Sequence, residues 1–244
     1  MALQVNGAAE PAFAIWRRAR RTSAFASVLA LIPTMASSAA PTVQPPAEPH
    51  HVACIPADGR QGQPGCWELG SIPISASAET PLYWHVYEFP SVAKAQQAQD
   101  NQSKIIEAYG RVWLEAVTVQ SWTARGGRHV ATVGPMRALS SLPQTASFME
   151  AMFTPGMRSR VHTHPGPEAW VVLEGEQCLE TTEGKIRVQA GESMMVRGGI
   201  PMALYGTGKG VRRALVLIIH PTGQPLGTTY NGWQPTESCL KTAL

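Results

Sequence analysis

A series of short apolar runs follows Ala146: "SFMEAMFT", "EAWVVLE", "EQCLETT", "KIRVQA", "ESMMVR", "MALYG" and "VRRALVLIIH". Turn-forming stretches separate them, among them "PGMRS", "HPGP", "AGE", "GGIP" and "GTGKG". Runs of this length and composition predict strands. Strands at such short spacing predict an all-β sandwich or barrel over residues 146–222. No apolar spacing of helical period interrupts the series. Residues 223–244 continue no such pattern and are expected to form a C-terminal tail.

Residues 53–140 mix the two periods. "CWELGSIPI", "PLYWHVYEF", "RVWLEAVTV" and "RHVATVGPM" predict strands, and "SVAKAQQAQ" predicts a short helix with Ser91 as its N-cap. This reads as a small α+β unit ahead of the β domain. Trp84, Trp113 and Trp122 are expected to pack in its core, and His85 and His129 to be structural histidines on strands.

The first 40 residues differ from both. "RRARR" precedes the apolar stretch "SAFASVLALIPTMA", and "SSAAPTVQ" supplies small residues for cleavage near Ala39 or Ala40. This order predicts an export signal over residues 1–40, in a periplasmic or secreted bacterial protein. Ser, Thr and Pro33 interrupt the stretch too often for a stable membrane span. Residues 41–52, "PTVQPPAEPHHV", read as a Pro-rich linker, with His50 and His51 in a solvated tail.

Charge then removes one class of partner. The net charge is +3, and residues 1–40 hold four arginines against Glu10, so the excess lies entirely there. The balanced remainder lacks the basic footprint of a nucleic-acid-binding protein. The four cysteines, Cys54, Cys66, Cys178 and Cys239, allow three pairings in an oxidising compartment. A Cys54–Cys66 bond would close the loop "IPADGRQGQPG" and stabilise by about 3 kcal/mol. Two unpaired thiols are the alternative.

The densest chemistry lies in "VHTHPGPEAW", residues 161–170. Alternate residues of a strand share a face, so His162 and His164 project together. The Pro165-Gly166-Pro167 turn is expected to bring Glu168 onto an adjacent strand beside them, with Trp170 and Val172 on its inward face. A carboxylate buried there without a partner would cost several kcal/mol. A divalent cation held by His162, His164 and Glu168 would offset that cost.

The same segment resembles the first signature of the cupin superfamily. Gly156 precedes "MRSRV", then come His162, His164, "PGP", Glu168, "AWVVLE" and Gly175, with every defining position filled. The second signature is only partly kept. Gly191 and Gly199 match, Arg197 stands where proline is usual, and Met202 stands where the last histidine would complete a metal site. The resemblance implies a double-stranded β-helix, or jelly-roll barrel, over residues 146–222 and a homodimer through outer strands.

Three readings of the site stay open. His162, His164 and Glu168 alone supply the donors of a 2-His-1-carboxylate set, with positions left for water, dioxygen or substrate. With Met202 as a soft axial ligand, copper is favoured. With the metal lost, the pocket is a non-catalytic receptor for a small ligand. Iron, manganese, zinc and copper are not distinguished by these donors. Gln177 is a further candidate for the pocket, and Met152, Met194 and Met195 for its soft lining. His220, at the end of "ALVLIIH", is a strand-end histidine that could reach a pocket mouth. The implied protein is an exported metal-binding cupin, an oxidoreductase or isomerase acting on a small organic molecule. No catalytic residue is assigned.

Overall fold

A computed structural model of the chain describes residues 54–77, 80–139 and 143–240. The expected export signal, the linker and the His50–His51 pair lie outside them. The first elements are β1 (Cys54–Pro56), β2 (Gly65–Ile74), β3 (Pro81–Phe89), a short helix α1 (Val92–Gln96), β4 (Ser103–Ala108), β5 (Arg111–Thr118) and β6 (Arg128–Arg137). They are followed by β7 (Gln144–Phe153), β8 (His162–Thr163), β9 (Glu168–Glu174), β10 (Glu176–Thr181) and β11 (Gly184–Gln189). The series ends with β12 (Ser193–Val196), β13 (Met202–Thr207), β14 (Arg212–Pro221) and β15 (Thr228–Thr229). The protein is mainly β, as its patterning predicts.

These strands form three open sheets. One has six strands in the order β1-β2-β7-β14-β9-β12, one has five in the order β11-β10-β13-β8-β15, and one has four in the order β4-β5-β3-β6. The six-stranded sheet is central, covered by the five-stranded sheet on one face and the four-stranded sheet on the other. Strand β14 shows why its sequence is almost continuously apolar. Leu215, Leu217 and Ile219 pack with Trp84, Trp113 and Phe148 towards the four-stranded sheet. Val216 and Ile218 pack with Trp170, Leu179 and Leu204 towards the five-stranded sheet. A strand buried on both faces has no polar side to alternate with.

The α+β unit is the four-stranded sheet with α1 against it. Ser91 caps the helix as expected, its hydroxyl accepting from the Lys94 amide at 3.3 Å. Trp84 and Trp113 are fully buried in the interface with the central sheet. His85 is buried and His129 exposed, and both hydrogen-bond to Thr132. Burial holds the His85 ring below its ordinary pKa against the Val119 carbonyl, and nearby His129 adds to the lowering.

Strand β2 joins the central sheet, pairing along its length with β7. Its register slips between Glu68 and Gly70, so that Glu68 opposes Met149 while Gly70 opposes Phe148. Such a bulge inserts one residue and reverses which face the following side chains take. Ile72 therefore packs towards the four-stranded sheet, and Glu68 turns to the opposite face.

Two disulfides lock the described residues. Cys54–Cys66 ties β1 to β2, and Cys178–Cys239 fastens the C-terminal residues to β10. Disulfides of this kind are typical of proteins in oxidising compartments. No helix among the described residues is long and apolar enough to cross a membrane.

Candidate metal centre

His162 lies on the two-residue strand β8, between Met202 of β13 and Thr229 of β15. One residue, Thr163, separates it from His164, and the two rings fall on one side as expected. Their centroids are 4.8 Å apart in an edge-to-face arrangement.

Glu168 arrives by a different route from the one its sequence suggests. Strand β9 does not pair with β8; it lies in the central sheet, paired with β12 and β14. The Pro165-Gly166-Pro167 turn crosses from the five-stranded sheet to the central one, so Glu168 faces the histidines across the sandwich. The crossing is tight. The Pro167 carbonyl accepts from the Ile219 amide at 3.1 Å. A Cβ on Gly166 would lie 2.2 Å from the Ile219 carbonyl oxygen, so only glycine fits. Trp170 and Val172 share the inward face with Glu168, as the alternation requires.

One donor atom from each of His162, His164 and Glu168 lies within 4.8 Å of the others. Backbone carbonyls fix both rings. His162 Nδ1 donates to the Arg160 carbonyl at 2.7 Å, and His164 Nδ1 donates to the Leu226 carbonyl at 2.7 Å. A carbonyl only accepts, so each Nδ1 carries the proton and each neutral ring has its lone pair on Nε2. This is how metal-binding histidines are commonly oriented.

The fit to a cation rests on two buried atoms. His164 Nε2 and Glu168 Oε2 are 2.8 Å apart, at side-chain exposures of 7% and 8%. They pair with each other when the ring is protonated, and neither atom has another hydrogen-bond partner among the described residues. Two lone pairs held this close repel unless a positive charge lies with them. A proton on the ring supplies one such charge. Burial opposes it, but the Glu168 carboxylate and the Leu226 carbonyl outweigh burial and raise the His164 pKa. A divalent cation supplies the other. The donor set, two imidazoles and a carboxylate, suits first-row metals.

A cavity of about 510 Å³ opens beside these residues. Trp170, Leu204, Val216 and Ile218 make its apolar wall, and Arg160, Glu68 and His220 contribute polar groups. The Cys54–Cys66 disulfide lines it too. Residues 224–229, expected in the tail, form another part of the wall. Gly227 passes so close to His164 that a Cβ would stand 2.8 Å from Nδ1.

Met202, Gln177 and Met194 lie apart from the cavity lining. Met202 is fully buried in the apolar cluster between the sheets, although its backbone pairs with His162. Gln177 is fully buried, with both amide atoms lacking hydrogen-bond partners among the described residues. Met194 packs in the same cluster as Met202. His220, read as a strand-end residue, is buried and does reach the cavity. Sequence reading missed Glu68 and Arg160, and no motif marks either. It also missed Arg212, a fully buried guanidinium stacked 4.3 Å from the Phe153 ring centroid. Burial lowers the Arg212 pKa to about 10, against the attraction of Tyr109 and Glu168.

Residues 149–218 match the family model for the cupin domain. Solved structures similar to this chain include a cupin superfamily protein from Desulfitobacterium hafniense DCB-2, at 20% identity over 35% of this chain and 73% of that one, with a TM-score of 0.29. The DMSP lyase DddQ from Ruegeria pomeroyi DSS-3 is 21% identical over 34% of this chain and 42% of that one, with a TM-score of 0.31. A recombinant oxalate oxidase in complex with glycolate is 22% identical over 34% of this chain and 45% of that one, with a TM-score of 0.31. The aligned part is thus less than half of the lyase and of the oxidase. No curated protein matches the chain. The intact first signature, the facing sheets and the family match lead to one assignment: residues 149–218 form a cupin domain.

Proposed function

We propose that the protein binds a divalent metal through His162, His164 and Glu168 and presents it to a small organic molecule in the adjoining cavity. The observation that carries this reading is the convergence of one donor atom from each of His162, His164 and Glu168 within 4.8 Å, with His164 Nε2 and Glu168 Oε2 buried and 2.8 Å apart. A cavity of about 510 Å³ is within the usual range for small ligands. The metal would supply a Lewis acid, or a centre for dioxygen. The chain's own residues do the rest. The Arg160 and Leu226 carbonyls aim the imidazoles, Trp170, Val216 and Ile218 exclude water from one wall, and Arg160 stands at the exposed rim.

The reaction class is an oxidation or an isomerisation. The protein works in an oxidising, extracytoplasmic compartment, a reading supported by its two disulfides. Met202 supports a three-ligand site over a four-ligand one, because its thioether is packed among apolar side chains away from the cavity lining.

The test is metal analysis of the purified chain and a His162→Ala variant, each refilled in turn with iron, manganese, zinc and copper. About one metal per chain is expected in the parent, with a loss of about 100-fold in affinity in the variant. An equally empty parent and variant would refute metal binding and leave a ligand-binding cupin. A Met202→His variant should bind metal no more tightly than the parent, because that side chain is packed away from the cavity lining.

A further inference from the structure

The cavity has a second polar pole, built from three residues distant in sequence. Glu68 on β2 and His220 on β14 both line it, and Ser147 on β7 joins them. The Ser147 hydroxyl donates to Glu68 Oε1 at 2.8 Å and lies 3.0 Å from His220 Nε2. Ser147 and His220 are buried, at 1% and 7% exposure. None of the three lies within residues 149–218, where the family model matches. Glu68 comes from β2, ahead of the cupin barrel, while Ser147 and His220 stand near the ends of its strands β7 and β14.

The hydrogen bonds restrict where the protons can be. His220 Nδ1 faces the Pro221 and Gln224 carbonyls at 3.1 and 3.2 Å, so Nδ1 keeps a proton. Ser147 has one hydrogen. When it goes to Glu68, the Ser147 oxygen takes its second bond from His220 Nε2–H, and a doubly protonated imidazole faces an ionised carboxylate. Moving both hydrogens one step along gives a neutral imidazole and a carboxylic acid. The three groups therefore form a continuous hydrogen-bonded path between His220 Nε2 and Glu68 Oε1. Glu68 Oε1 is committed to Ser147, and the carboxylate reaches the cavity.

The bulge after Glu68 supports a purpose for this placement. Without the inserted residue, Glu68 and Ile72 would share a face, and a carboxylate would sit in the apolar interface with the four-stranded sheet. With it, Glu68 faces the cavity while Ile72 stays in that interface. Bulges that re-aim one side chain are common beside active sites.

We propose that Glu68 is the proton-transfer group of this cavity, with Ser147 and His220 as its positioning residues. This rests on the reading of the cavity as a metal-assisted small-molecule site. The substrate class is a small molecule with a carbonyl oxygen and an acidic C–H beside it. Glu68 takes the proton as the C–H bond breaks, and becomes a carboxylic acid. The electron pair stays on the molecule as an enolate, and the proton returns to the same or a neighbouring carbon. No oxidant is consumed, and the net result is exchange or isomerisation.

The experiment is carried out on the full chain and has two arms. In the first, metal-loaded protein is incubated in D2O with pyruvate or hydroxyacetone, and deuterium uptake is followed by proton NMR. Uptake is expected in the parent. Glu68→Gln should lower it by about 100-fold with metal content and probe affinity retained, and Glu68→Asp should restore part of it. His220→Asn should lower the maximal rate about tenfold while KM stays within about twofold, as a positioning role requires. A metal-loaded parent that exchanges neither probe, or a Glu68→Gln variant that exchanges at the parental rate, overturns the proposal. In the second arm, nitrogen NMR of the metal-free chain reads the two His220 ring signals. Glu68→Gln should shift the Nε2 signal through Ser147, and an unchanged spectrum also counts against the proposal. Because this arm needs no metal, a failure of metal binding is told apart from a failure of the Glu68 assignment.

Discussion

Glu115 and Glu168 are both buried carboxyls on strands, and the central sheet separates their surroundings. Glu115, on β5, shares the face of Trp113 and Val117 and points into the dry interface between the four-stranded sheet and the central one. Its Oε2 accepts from the Trp84 indole at 3.0 Å, and its Oε1 has no partner among the described residues. Burial pushes its pKa up to about 8, against the Trp84 hydrogen bond, so near neutrality it stays protonated. Glu168 lies on the opposite face among histidines. One site removes its charge with a proton, and the other sets the carboxyl beside two imidazoles. The difference follows from neighbours: apolar side chains cannot answer a charge, so the group in their midst gives it up.

The largest expected break in this comparison comes from the dry face. Phe148→Ala opens a cavity in a fully buried cluster and should cost about 3–5 kcal/mol by urea unfolding. Metal content of the folded fraction should not change. A parallel loss of metal would mean that the two faces are not independent.

Glu115→Gln tests the carboxyl itself. In the folded chain the proton is held up to about pH 8, while the unfolded chain releases it near the ordinary glutamate value of 4.5. The contribution of Glu115 to stability is therefore full below that lower value, declines as pH rises between the two, and is lost above the higher one. The variant should match the parent in Tm near about pH 4.5 and exceed it near about pH 9, by several degrees. Parallel Tm curves across this range would show that Glu115 ionises normally.

The smallest effect is expected at Gly227. In Gly227→Ala the new methyl would press on His164 Nδ1, at 2.8 Å, and on the Thr163 carbonyl, at 2.9 Å. Metal affinity should fall about tenfold with little change in unfolding, because the carbonyl that aims His164 is displaced rather than removed. Unchanged affinity would show that the passage of residues 226–228 over the ring is incidental.

How much of this could be read from the chain depends on distance along it. His162, His164 and Glu168 lie within seven residues, and strand parity alone brings the two histidines together. The long strands β7, β9, β10 and β14 were legible because turns bound them and their apolar content is high. Strand β8 was not, since two residues carry no period. Glu68 was hidden for another reason: the bulge at Leu69 breaks the alternation from which its face would be inferred. Ser147, His220 and Leu226 owe their roles to partners 62 to 79 residues away, which no local pattern encodes.

The strap formed by residues 224–229 also sets an order of events during synthesis. Until Leu226 has been made, His164 Nδ1 has no carbonyl to hold its tautomer, and the cavity lacks a wall. The Cys178–Cys239 bond that fastens the following segment forms later still, after oxidation. A nascent chain thus carries the His-x-His motif for more than sixty residues of elongation before the finished site exists around it. The full donor geometry exists only in the completed chain.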